Sequence, residues 1–280
     1  MIRRLLAGIF VATVLLTAER VFTQGPPPVQ GPQGPPRPAR LAAPIDLTGY
    51  WVYIITEDWR WRMVTPPKGD FASVPTTPAA RAAALGWDPA KDTADGLACK
   101  AYGAAGIMRV PGRMNITWAD DNTLKVDFDT GMQTRLLHFG AWTAPGGEAT
   151  WQGDSIAQWV TPPVGRGAPG GAPPAAPPAG GAGRAGAGGT PPAPSGSGYL
   201  RVVTTRMRPG YLRKNGVPYS ANTTMTEYWS VHRETNGDQW LVVTAMIVDP
   251  QNLQQPWLTS PNFKREADGS KWDPAPCSSE

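Results

Sequence analysis

Between residues 114 and 139 polarity changes at almost every second residue, the rhythm of a strand with one buried and one wet face. Met114-Asn-Ile-Thr-Trp118 alternates, Asp120-Asp-Asn122 interrupts, and Leu124-Lys-Val-Asp-Phe128 alternates again. Asp129-Thr-Gly131 then leads into a further run over 132–139. Short Asp, Asn and Gly stretches between such runs are hairpin signals, since these residues tolerate the backbone conformations of tight turns. The same period recurs at 155–160, 200–207, 223–233 and 239–248, with Asn236-Gly237 between the last two. A first strand starting near Leu47 and a last one over 259–265 bring the total to about eight or nine. Helix is scarce: Thr77 as N-cap, Pro78, an alanine-rich run to Leu85 and Gly86 as stop predict one short helix. The expected class is mainly β, an antiparallel up-and-down barrel of consecutive hairpins.

Composition divides the chain around that barrel. Residues 1–23 start with Arg3 and Arg4 and continue with an apolar run from Leu5 to about Ala18, too short for a comfortable bilayer span. This is the plan of a secretory signal peptide, with cleavage expected near Thr23 and an uncleaved anchor as the alternative. Export places the mature chain in the periplasm or outside the cell. Residues 24–44 are Pro/Gly-rich and read as an extended disordered linker. Residues 161–198 form a second such segment with no aromatic before its end, read as a disordered insert. Closing a long flexible loop costs little more than closing a short one, so the strands of 45–160 and 199–265 belong to one domain. Residues 266–280 are a C-terminal tail.

The formal net charge of +4 belongs mostly to these unfolded parts. Setting aside three Arg and one Glu of the signal and two Arg in each Pro/Gly-rich segment leaves the folded part near −2. No basic footprint for nucleic acid remains. Once the signal is cleaved, no transmembrane span is expected. The two cysteines, Cys99 and Cys277, are expected to pair in an oxidising compartment, with two free thiols as the alternative.

Several longer phrases carry a resemblance. Leu47-Thr-Gly-Tyr-Trp51 contains the Gly-x-Trp that resembles the first strand of lipocalin-like barrels, so the barrel is expected to be lipocalin-like. DLTGYW (46–51), EDWRWRMVTPPKGD (57–70), RPGYLRKNGVPYS (208–220) and VDPQNLQQPW (248–257) together resemble a group of exported bacterial hypothetical proteins of unassigned function. The resemblance extends over residues 46–265 and implies that a Gly/Pro-rich insert after the Ala157-Gln-Trp159 strand is a habit of that group. It implies no reaction, cofactor or catalytic residue.

Chemistry has to be read from single residues. Asp129-Thr-Gly131 is the triplet of aspartic proteases, but that chemistry needs two converging carboxylates and this triplet sits at a turn. Gly153-Asp-Ser155 lacks the strand-to-helix elbow of a serine nucleophile. His138 and His232 have no metal-ligand spacing, and no metal or cofactor is implied. Twelve tryptophans are the stronger signal, because aromatics both fill a barrel and line pockets for apolar ligands. If 49–64 is one strand, Glu57 shares a face with Trp51, Trp59 and Trp61; a bulge at Glu57-Asp58 is the alternative. Glu227 likewise lies between Met225 and Trp229. The first functional reading is a binding protein for a small apolar or aromatic molecule, with Trp59, Trp61, Arg60, Arg213, Trp118 and Trp229 as ligand contacts. An acid–base enzyme using Glu57, Glu227, His138 and Tyr219 is the second, and an envelope interaction module the third.

Overall fold

Nine strands close into a ring whose order around the barrel follows their order in the chain. They are β1 (Gly49–Ile54), β2 (Arg113–Asp120), β3 (Thr123–Phe128), β4 (Thr134–Phe139) and β5 (Asp154–Val160), followed by β6 (Tyr199–Thr205), β7 (Thr224–Arg233), β8 (Gln239–Val248) and β9 (Asn262–Arg265). β9 pairs with β1, which completes the ring. The structure is a computed structural model that describes residues 37–161 and 198–279. The expected signal peptide, most of the first linker and nearly all of the 161–198 insert lie outside the described residues.

The fold is mainly β, but the barrel is mixed. Antiparallel neighbours must alternate in direction, and nine members of a ring cannot alternate all the way round. The odd pair is β4–β5, which runs parallel with Leu137 opposite Ser155 and Phe139 opposite Ala157. A parallel pair needs a long return, and residues 140–153 supply it. The helical content also exceeds the single helix expected. Pro78–Leu85 is followed by Pro89–Ala94, capped by Asp88 through the Lys91 amide at 3.1 Å, and shorter helical turns flank both.

β1 is shorter than the alternation of its sequence. It ends at Ile54, and neither neighbour continues beside it. On the β9 side the Ser260 amide, next in line to pair with β1, donates instead to the Glu57 carboxylate at 2.8 Å. Past that point Asp58 takes a left-handed conformation (φ 49°) and Trp59–Trp61 coil into a 3-10 turn. Residues 55–112 thus leave the sheet. With 206–223 and 249–261, they form a cap over the end of the barrel where β1 finishes. A second apolar core sits there, built from Ala104, Ala105, Leu212, Val217, Leu253 and Trp257 among others. Asp249 anchors the last of these segments. Its buried carboxylate accepts from the Ser220 amide (2.7 Å), the Ser220 hydroxyl (2.8 Å) and Asn252 Nδ2 (2.8 Å).

The bore is filled. Trp51, Met114, Leu124, Leu137, Leu200 and Trp229 are completely buried, as the inward member of each period-2 pair requires. At the opposite end residues 37–44, assigned above to the linker, are seated on the barrel. Trp159 Nε1 donates to the Ala39 carbonyl (2.9 Å), and the Ala39 amide donates to Asn122 Oδ1 (2.9 Å).

The C-terminal tail runs back to the capped end. Trp272 meets Tyr50 edge to face, Ala275–Pro276 pairs with Thr130–Gly131, and Cys277 is joined to Cys99 by a disulfide. This link spans 178 residues, and a loop of that length removes much entropy from the unfolded chain. Replacing both cysteines by serine is expected to lower the unfolding free energy by about 4–5 kcal/mol in urea denaturation.

Candidate functional site

The cap contains a narrow cleft of about 50 Å³, walled by residues from three separate stretches of chain. Trp61, Arg62, Val64 and Pro66 come from the segment after β1. Gly106, Arg109 and Val110 come from the segment before β2, and Leu212, Arg213 and Lys214 from the 206–223 loop. Local rules set each wall. Gly106 lets the segment before β2 fold tightly on itself and against the loop, since a Cβ there would stand 2.7 Å from the Ala101 carbonyl and 2.8 Å from that of Tyr211. Gly216 turns the loop at φ +83°, where a side chain would collide with Trp87. Asn215 Nδ2 donates to the Asp70 carbonyl (2.9 Å) and so fixes the loop against the Pro66-Pro67 corner.

Three buried arginines dominate the electrostatics. Arg109 is fully engaged, donating to Glu57 Oε1 and Asp58 Oδ2 at 2.7 Å each. Arg62 is held more loosely, by Glu57 Oε1 at 3.2 Å and by two carbonyls at 3.4 Å. Arg213 donates from Nη2 to Ser73 Oγ (2.9 Å) and from Nη1 to the Asp70 carbonyl (3.4 Å). Each guanidinium also lies over an aromatic ring: Arg62 over Tyr53 (4.2 Å), Arg109 over Trp257 (4.8 Å) and Arg213 over Trp61 (5.5 Å). Burial, and then the charge of Arg109, lower the pKa of Arg62 to about 8. The same two causes, partly opposed by Asp58 and Asp70, lower that of Arg213 to about 10. The cleft therefore places cations where solvent compensates them poorly.

The residues singled out in the sequence disperse. Trp61 and Arg213 meet in the cleft. Trp59 is 69 % exposed and Arg60 points to solvent beside Trp61. Trp118 lies at the opposite end of the barrel, against Phe139 and near the 37–48 segment. Trp229 is buried in the bore. Glu57 does not enter the barrel among aromatics. Its oxygens are taken by Arg109, Arg62 and the Ser260 amide (2.8 Å) in the loop after β1. His138 is stacked face to face on Trp142 at 4.0 Å, and burial lowers its pKa against the opposing pull of Asp120 and Asp154. Tyr219 is buried in the cap, where burial raises its pKa and its hydroxyl lies so close to Gly103 that a Cβ there would collide with it.

Glu227 is the surprise of the bore. It is fully buried and pairs bidentately with Arg135, 2.6 Å from Nη2 and 3.1 Å from Nη1. Arg135 also reaches Thr204 Oγ1 (3.3 Å), which shares a hydrogen bond with Ser155 (2.8 Å). The alternation Arg135, Leu137, Phe139, all buried, is the sequence signal that turns this arginine inward. Arg62 and Arg109 left no such signal, because they lie outside any strand.

Among the described residues, no group of three or more His, Cys, Asp or Glu side chains comes together to hold a metal. No helix among them is long and apolar enough to cross a membrane. No protein-family model, curated protein or solved structure matches the chain.

Removing one member of a buried ion pair strands the other charge, at a cost of about 3–5 kcal/mol, whereas replacing both by apolar groups is often close to neutral. Arg135→Met alone is expected to lose stability in that range by chemical denaturation, and the Arg135→Met/Glu227→Leu double variant to recover most of it.

Proposed function

We propose that this chain is an exported binding protein for a small, partly apolar molecule, held in the cap cleft rather than in the barrel bore. The cleft itself is the supporting observation. Trp61, Val64, Pro66, Val110 and Leu212 line it with apolar surface beside a few polar groups, the composition typical of ligand sites. A lipocalin-like arrangement would hold the ligand inside the barrel, but that volume is packed with Trp51, Trp229 and their neighbours. The acid–base reading has less to draw on. Glu227 is shut away with Arg135, and the oxygens of Glu57 are occupied by arginines and an amide. Export is consistent with the Cys99–Cys277 disulfide, which persists in oxidising compartments.

The test is native purification of the mature protein from its host, followed by extraction and mass spectrometry. A small molecule should co-purify with the wild type and be absent from Val110→Phe, whose larger side chain fills the cleft. Equal amounts on both proteins, or none on the wild type, would remove the cleft as the site.

A further inference from the structure

Resting on that reading of the cleft, we propose that its ligand is an anion, a slender organic carboxylate or phosphate ester whose oxyanion is taken by Arg62 and Arg213. Two donors motivate this. Arg62 Nη2 and Arg213 Nε are buried without a hydrogen-bond partner, on side chains that wall the cleft. A buried donor left unmade is costly, and here two of them belong to guanidinium groups beside one cavity. The two residues are 7 % and 6 % exposed, so bulk water compensates neither well.

The acids already present do not meet this demand. Glu57 and Asp58 give their short contacts to Arg109 and leave Arg62 with bonds of 3.2 Å and longer. The Asp70 carboxylate is turned to Trp61 Nε1 (2.9 Å) and the Ala72 amide (3.0 Å), and Arg213 reaches that residue only through its backbone carbonyl. Carboxylate and phosphate oxygens match the planar donor set of a guanidinium, and such charge-assisted bonds strengthen away from water. The apolar wall at Val64, Val110 and Leu212 would take the ligand's body. The lowered pKa values of Arg62 and Arg213 point the same way. A guanidinium keeps its proton in proteins, so a penalty on its charge is relieved by a counter-ion instead.

The experiment is titration calorimetry of the mature protein with hexanoate, hexyl phosphate, inorganic phosphate and the uncharged hexanamide. One or both of the organic anions should bind about tenfold or more tighter than hexanamide, the value of a charge-assisted hydrogen bond. Preference between hexanoate and hexyl phosphate assigns the head group, and inorganic phosphate binding as tightly as hexyl phosphate would remove the apolar body from the proposal. Arg213→Met should lower the preference for anions, read as the ratio of anion to hexanamide affinity, about tenfold, a ratio that a uniform change in cleft packing does not alter. Arg213→Lys, which keeps the charge, should retain part of the preference. Hexanamide binding as well as the anions to wild type overturns the anion proposal and leaves the cleft reading intact. No binding of any of the four overturns both. The wild-type comparison stands by itself if the Arg213 variants do not fold.

Discussion

A ring of nine strands cannot alternate direction throughout, and much of the molecule follows from where the alternation breaks. β4 and β5 run the same way, so residues 140–153 must travel back the length of the barrel. That return delivers Trp151 and Gln152 to the capped end. There the Trp151 carbonyl accepts from the Ala104 amide (3.0 Å), and Gln152 Nε2 donates to the Tyr102 carbonyl (2.8 Å). The connection a parallel pair demands thus becomes part of the structure that builds the cleft.

The cap and bore solve the same electrostatic problem in different ways. In the bore Arg135 meets one carboxylate with good bidentate geometry, and the pair is closed off from water. In the cap Arg109 and Arg62 divide the carboxylates of Glu57 and Asp58, Arg213 is bonded to a hydroxyl and a carbonyl instead, and aromatic faces supply part of what is missing. The first arrangement balances its charge one to one and leaves a single guanidinium donor, Arg135 Nε, without a partner. The second leaves Arg62 Nη2 and Arg213 Nε without a partner beside an open cleft.

Legibility in the sequence differed sharply between these regions. β2 to β8 could be read because each strand buries one face, so solvent writes a two-residue period into the chain. The same period puts Arg135 on the face of Leu137 and Glu227 on the face of Met225 and Trp229, and both faces are buried. At 56–64 the period continues in the letters but not in the backbone. The ladders of β1 stop by Ile54, and the Ser260 amide, far away in sequence, goes to the Glu57 side chain instead. Trp59 and Glu57 therefore lose the places that alternation assigned them. Arg109 becomes visible only once the cap has folded, since its partners come from a stretch some fifty residues earlier.

What the sequence by itself determined is local and periodic: a mainly β domain, most strand bounds, the helix at Thr77-Pro78 and the turns of Asp, Asn and Gly. These depend on neighbours in the chain and on which side of a strand meets water. Tertiary structure alone decided that the ring has nine members with one parallel pair, that residues 37–44 and the tail are held against it, and that Arg62, Arg109 and Arg213 converge. Strand pairing and charge convergence are set by which distant segments can close a ring and share one low-dielectric space. No window along the chain contains that information.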